Sequence, residues 1–322
     1  MIIVTGGAGF IGSAVVWNLN EQGANDILVV DNLGRTEKWK NLVNRSYRDY
    51  VHKSDFLDRL ENNAFHSVEA IVHMGACSST TETDADFLMK NNFHYTRRLA
   101  EYCLKNEIRF INASSAATYG NGDRGFSDDV SGLADLKPLN MYGYSKHLFD
   151  CWAVRFKAMD RLVSLKFFNV FGPNEYHKGD MRSMVFKGFQ QIGQTERIRL
   201  FKSYHPSYPD GGQRRDFVYV KDCVAVIAWL LANPAVNGLF NLGSGADRSW
   251  NDLAAALFQA MHVPMNIDYI EMPAPLKDKY QYYTRANTDK LSAAGYPGEF
   301  TPLEDAVHDY VTHYLKTEDP YL

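Results

Sequence analysis

Tyr142 and Lys146 stand four residues apart in the run Met141-Tyr142-Gly143-Tyr144-Ser145-Lys146, which reads as the opening of a helix. At that spacing the two side chains share one helical face. A free phenol keeps its proton until about pH 10, too high for a base near neutrality. An ammonium close by favours the phenolate, so the pairing predicts a lowered pKa for Tyr142. Upstream, Arg109-Phe110-Ile111-Asn112-Ala113-Ser114 reads as a strand, and Ser114-Ser115 brings a hydroxyl to its C-terminal end, where ligands of open parallel sheets bind.

A phenol and an ammonium become redox machinery only beside an electron carrier. The first dozen residues, Met1-Ile2-Ile3-Val4-Thr5-Gly6-Gly7-Ala8-Gly9-Phe10-Ile11-Gly12, set a glycine-rich turn between an apolar strand and a helical pattern. Gly6 suits the sharp turn, Gly9 lets a pyrophosphate approach without meeting a Cβ, and Gly12 lets helix and strand pack closely. The phosphates then rest on the helix N-terminus, where free N–H groups and the helix dipole favour negative charge. Asp31 closes the next apolar run, Ile27-Leu28-Val29-Val30, at the distance a dinucleotide fingerprint requires. Its carboxylate suits a ribose 2'-hydroxyl and points to NAD, whereas Arg35, Lys38 and Lys53 offer charge to a 2'-phosphate and point to NADP. An oxidised nicotinamide adds positive charge beside Tyr142, and Lys146 is then suited to hold its ribose.

The elements that must position these groups alternate. Strand-like runs at Ala70-Ile71-Val72-His73, at 109–114 and at 162–168 are separated by helical patterns at 11–22, 86–105 and 142–159. Short apolar strands between helices predict an α/β fold, a doubly wound parallel sheet. We expect residues 1–168 to form a dinucleotide-binding Rossmann domain, with returns near 216–246. Residues 169–322 should form a smaller α/β substrate domain interleaved with it. The return comprises strand 216–220, helix 222–232 and strand 239–242. A final helix is signalled by Thr301 as cap, Pro302 in the first turn and Glu304 as partner in a capping box.

The 322 residues suffice for about two domains. A net charge of -4, mixed along the chain, argues against nucleic acid or an anionic membrane as main partner. No apolar run nears the roughly eighteen residues of a membrane span. Because the strand starts at once, no signal or transit peptide is expected. Cys77, Cys103, Cys151 and Cys223 are scattered without metal-ligand spacing, so we expect reduced thiols in a cytoplasmic protein and no metal.

Taken together, T-G-x-x-G-x-x-G at Thr5 to Gly12, the serine strand and Y-x-x-x-K at Tyr142 to Lys146 resemble the extended short-chain dehydrogenase/reductase family. Within it, the runs 73–82, 114–120, 138–146 and 168–173, with His177-Lys178-Gly179, are similar to the branch whose members invert C6 of an ADP-linked heptose for lipopolysaccharide inner core. The resemblance covers nearly the whole chain. It implies oxidation at C6 and return of the same hydride to the other face, with NADP as carrier. Tyr142 and Lys178 would be the acid/base pair, Ser115 would bond the reacting oxygen and Lys146 would assist.

The same resemblance implies a cofactor shell of Gly6, Gly9, Phe10, Ile11, Gly12, Asp31, Asn32, Lys38, Lys53, Met74, Gly75, Ala76, Cys77, Ser78, Asn91, Lys146, Val170 and Lys178. For the ADP-heptose substrate it implies Asn169, Asp180, Lys187, Phe201, Lys202, Ser203, Tyr204, Arg215 and Tyr280, and for assembly a homo-oligomer, a pentamer. Arg215 suits a diphosphate, with Arg214 as rival. The chain departs from the pattern at Asp180, Lys187 and Met74, where serine, histidine and glutamate are familiar, and in a longer loop before Arg215. A 4,6-dehydratase is disfavoured because Ala116 and Ala117 follow Ser115 where an acidic pair would stand. A UDP-hexose 4-epimerase needs the same Ser, Tyr and Lys and stays open; an NADP-sensing protein without turnover would need none of them.

Overall fold

The computed structural model describes residues 1–277 and 280–322. The chain runs β1 (Ile2–Thr5), α1 (Phe10–Glu21), β2 (Ile27–Asp31), β3 (Asp49–His52), α2 (Lys53–Glu61), β4 (Ala70–His73) and α3 (Ala85–Leu88). A π-helical turn, Met89–His94, leads into α4 (Tyr95–Lys105), followed by β5 (Arg109–Ser115), α5 (Met141–Arg155) and β6 (Val163–Phe167). Next come β7 (Asn169–Phe171), α6 (Met184–Thr195), β8 (Ile198–Phe201), β9 (Arg214–Tyr219), α7 (Val220–Ala232) and β10 (Gly238–Leu242). β11 (Asp247–Ser249), α8 (Trp250–Met261), β12 (Ile267–Ile270) and a C-terminal helix, Leu303–Tyr310, follow.

Seven strands form one wholly parallel sheet in the order β10-β6-β5-β4-β1-β2-β3. Strand order reverses between β1 and β4, which opens a crevice at their C-terminal ends. The expected doubly wound parallel sheet is therefore the observed one. Both faces are covered, so β2, β4 and β6 are buried along their whole length, including Ser164 and Lys166 within β6. One core cluster joins α1 and α7 to α8 and the C-terminal helix; the other packs α2, α4 and α5 on the opposite face.

Several local expectations need correction. The apolar run at 162–168 is not one strand: β6 ends at Phe167, Phe168 bonds Leu242, and β7 belongs to a different sheet, β11-β9-β7. β9 joins that small sheet, while β10 joins the large one; β8 and β12 pair by themselves. The helix expected to run to 159 stops at Arg155, where Lys157 turns left-handed at φ 55°. Thr301 does not cap the last helix. Its hydroxyl donates to Asp222 at 2.7 Å, and Glu304 pairs with Arg248, so tertiary partners take both groups from the capping box.

Candidate active site

A cleft of about 460 Å³ opens at the switch point, over the ends of β1, β2 and β4. Its floor is the glycine turn. Gly6 has φ +66°, and a Cβ there would lie 2.6 Å from the Gly75 nitrogen. A Cβ on Gly12 would meet the Gly6 carbonyl oxygen at 2.0 Å, so helix α1 and the turn touch directly. The cradle fits a dinucleotide, since side chains are absent where phosphates must approach the start of α1.

Asp31 ends β2 and faces this turn. One carboxylate oxygen accepts the Ala8 N–H at 2.9 Å; the other accepts the Lys38 ammonium at 2.5 Å and the Asn32 N–H at 2.7 Å. Lys53, at the start of α2, donates to Asn91 at 2.8 Å. Burial pulls its pKa down, and Lys38 pulls it further, while Asp31 pushes it up. The NAD-favouring acid thus meets a lysine within its own shell, and a second lysine stands near.

On the other wall, Asn140 caps α5 through the Gly143 N–H at 2.8 Å and sets Tyr142 in the first turn. A Cβ on Gly143 would come within 2.7 Å of the Ala117 oxygen, so α5 lies against the turn that follows β5. Lys146 donates to the Ala113 oxygen at 2.6 Å. Burial lowers its pKa to about 8, with Asp150 and Cys77 opposing. The lowered phenol expected from the sequence is not seen: burial raises Tyr142, its hydrogen bond to Ser115 pulls the other way, and Cys77 adds to the rise.

Lys178 comes from beyond β7, on a loop stitched to the cofactor turn. Asn41 donates to Ala8 O at 2.9 Å and to Asn174 O at 3.1 Å, and Asn174 donates to the Ser13 hydroxyl at 2.9 Å. Leu322 N–H bonds Asn174 at 3.0 Å, and the Tyr176 phenol bonds Pro320 O at 2.5 Å. The Lys178 ammonium lies 5.2 Å from the Phe10 ring centre. Burial lowers its pKa, and buried Glu175 opposes. Its neighbour His177, pulled down to about 4 by burial and by Lys38 and Lys178, stays neutral near pH 7.

Gly6, Gly9, Phe10, Ile11, Gly12, Asp31, Asn32, Lys38, Lys53, Met74, Gly75, Ala76, Ser78, Asn91, Tyr142, Lys146 and Lys178 all line the one cleft. Cys77 and Val170 do not: Cys77 is turned into a backbone clasp with Asn92, and Val170 is paired inside β7. Ser115 does not line the cleft either, but its hydroxyl meets the Tyr142 phenol in a hydrogen bond and accepts the Ala117 N–H at 3.1 Å. Sequence reading missed His177, Thr36 and Tyr95 on the wall, and Asn92 behind it. Asn92 binds Cys77 N, Cys77 O and the Ser145 hydroxyl, and only its polarity amid a helical run signals it.

None of the expected substrate residues lines this cleft, and they divide into three groups. Asn169 is exposed at the start of β7, while Lys187 donates to the backbone oxygen of exposed Asp180 at 2.6 Å. Lys202 and Tyr204 both bind Glu271, and Ser203 N–H bonds Asp210. Phe201, Arg215 and Tyr280 come together: the guanidinium stacks 5.1 Å from Tyr280 and 5.8 Å from Trp250, and Phe201 meets Tyr280 edge-on. Arg214 is bound to Asp247, whereas buried Arg215 donates to backbone oxygens of Arg214 and Gln281. Arg215 therefore keeps a charge with no acidic partner among the described residues, and its rival does not.

Comparison with known proteins fits this geometry. Residues 2–243 match the NAD dependent epimerase/dehydratase family. The chain belongs to that family. It is 62% identical over its whole length, and the relative's, to a protein of Nitratidesulfovibrio vulgaris named ADP-L-glycero-D-manno-heptose-6-epimerase. A protein of the same name from Fusobacterium nucleatum is 50% identical, also at full coverage of both chains. Among solved structures, the Helicobacter pylori ADP-L-glycero-D-manno-heptose-6-epimerase superposes with a TM-score of 0.81 at 27% identity, over 97% of this epimerase/dehydratase chain and 95% of its own.

Proposed function

We propose that this protein inverts C6 of the heptose in ADP-D-glycero-D-manno-heptose, giving the L-glycero epimer. The observation that carries the reading is the convergence of Tyr142, Lys146 and Lys178 on one dinucleotide cleft. Full-length identity to two proteins bearing the epimerase name supports the substrate. A nicotinamide cofactor, which the Gly6–Gly12 turn, Asp31 and Lys146 would hold, would supply the hydride chemistry. Everything else falls to the chain. With the positive charge of an oxidised nicotinamide and the Lys146 ammonium favouring its phenolate against the effect of burial, Tyr142 takes the C6 hydroxyl proton and Ser115 hydrogen-bonds that oxygen. Inversion presents the oxygen from a second direction. Lys178, approaching from the β7 loop rather than from α5, answers it there as the second acid/base group.

Ala116 and Ala117 begin the turn after β5 and offer no acid to expel water, which favours epimerisation over dehydration. For cofactor we propose NADP. Lys38 already offsets Asp31, and Lys53 adds positive charge at the ribose end, a balance that suits a 2'-phosphate. Resemblance extends the reading to a pentamer acting in the cytoplasm in lipopolysaccharide inner-core assembly. Four free cysteines suit a reducing compartment, and among the described residues no helix is long and apolar enough to cross a membrane.

The test is NMR of ADP-D-glycero-D-manno-heptose mixed with the protein. The L-glycero epimer should appear, and denaturation should release NADP identifiable by mass. Failure on ADP-heptose in the presence of NADP, together with conversion of UDP-glucose, would replace this reading with a hexose 4-epimerase.

A further inference from the structure

Beneath the site lies a charged pair that the chemistry above does not use. Lys166 sits in the middle of the sheet on β6, and Asp150 on α5 one turn beyond Lys146; both are wholly buried. The ammonium is 3.8 Å from the carboxylate. Taking two such charges out of water is costly, and apolar residues of similar size would fill the space with less penalty.

Their contacts point upward. Asp150 accepts the Ser114 hydroxyl at 2.6 Å and the Ser164 hydroxyl at 2.8 Å. Lys166 donates to the Thr118 hydroxyl at 2.7 Å, and Thr118 donates in turn to the Ser115 backbone oxygen at 2.8 Å. Lys146 holds the Ala113 oxygen. The last three residues of β5 are thus each gripped, one by Lys146 and two by the pair.

We propose that Asp150 and Lys166 are positioning residues for the active site, seating Ser115 and Lys146 and setting the field around the Lys146 ammonium. This rests on the reading above, in which Ser115 and Lys146 flank the reacting oxygen. Charged and titratable groups acting on or acted on by Lys146 are Asp150 on its own helix and Cys77 and His73 from β4 and its turn, with Tyr142 lining the same cleft. Around the pair stand His147, Cys151, Tyr119 and Asp128. Asp150 is the chief influence opposing burial at Lys146. Lys166 in turn offsets Asp150, and its own ammonium stacks 4.2 Å from the Tyr119 ring.

Asp150 therefore holds the Lys146 midpoint up, and Lys166, paired to that carboxylate at 3.8 Å, tempers the pull. In the holoenzyme with 13C-labelled lysines, the Lys146 signal being assigned by its loss in Lys146→Met, Asp150→Asn should lower the titration midpoint by about one pH unit. Lys166→Met should raise it by a similar amount, and the double variant should return close to the starting value. Midpoints that stay put, or that move the same way in both single variants, overturn the proposal, because a pair serving only to stitch α5 to the sheet changes melting temperature alone. Should Lys166→Met fail to fold, Lys166→Arg, which keeps the charge, must leave the midpoint in place while Asp150→Asn still lowers it; equal midpoints would refute the idea. Epimer interconversion measured alongside separates the two readings. Opposed shifts in a protein inert toward ADP-heptose remove the substrate reading only, and unshifted midpoints in an active enzyme remove this inference only.

Discussion

Burial raises the proton affinity of Tyr142 and lowers that of Lys146 to about 8, so the two ionisations are drawn apart, with the ammonium the first to lose its proton. The Lys146 ammonium exists below that value and disappears as pH rises through it, taking with it the stabilisation of the phenolate. Turnover should therefore fall above about pH 8, giving the alkaline side of a kcat profile. Tyr142→Phe should lose roughly 10²–10⁴-fold in kcat with cofactor content unchanged, as expected for removal of a general acid/base. Lys178→Met should lose a comparable factor, since each epimer needs a proton group on its own side. Wild-type turnover in either variant, followed by NMR of both epimers, would remove that residue from the mechanism.

At the scale of elements, the π-helical turn Met89–His94 places buried Asn92 against the Cys77 turn, where its amide replaces backbone pairing lost between β4 and α3. Asn92→Ala should strand the Cys77 N–H and cost about 1–3 kcal/mol in urea unfolding. An unchanged unfolding midpoint would mean that the clasp carries no weight. The strands that build the cleft were legible because both of their faces are buried and their apolar runs are continuous. β3 was not: Asp49 and His52 are exposed on this sheet edge, and only Val51 is buried within it. The glycine turn, Tyr142 and Lys146 were legible from spacing alone. Lys178 needed family resemblance, because a lone loop lysine looks like any solvated one until Asn41 and Asn174 tie its loop to the cofactor helix. Arg214 and Arg215 were told apart only by Asp247, a partner supplied by β11.

For the molecule as a whole, burial of histidines weakens the fold in acid, while buried Asp216, raised to about 6, pulls the other way. His73 bridges Thr5 on β1 and Thr96 on α4 and is held down to about 3; His177 is held to about 4. The unfolded chain binds protons on both as pH drops through about 6.5, while the folded chain does not. Unfolding then takes up protons on these two, so their contribution to stability is full above that value and declines between about pH 6.5 and pH 4. Across this window the melting temperature of His73→Gln should be less sensitive to acid than that of the wild type; an unchanged pH dependence in that variant would assign the response to other groups.

The pairing of β10 with β6 also bears on how the protein is made. On the ribosome, six of the seven sheet strands exist once Phe167 emerges, but the seventh arrives only after some seventy further residues have been synthesised. Until then β6, with Val163, Leu165 and Phe167, offers an open apolar edge to any nascent neighbour, a known route to aggregation. A chain halted after Asn237 should self-associate, read by sedimentation, whereas the full chain should not do so through that edge.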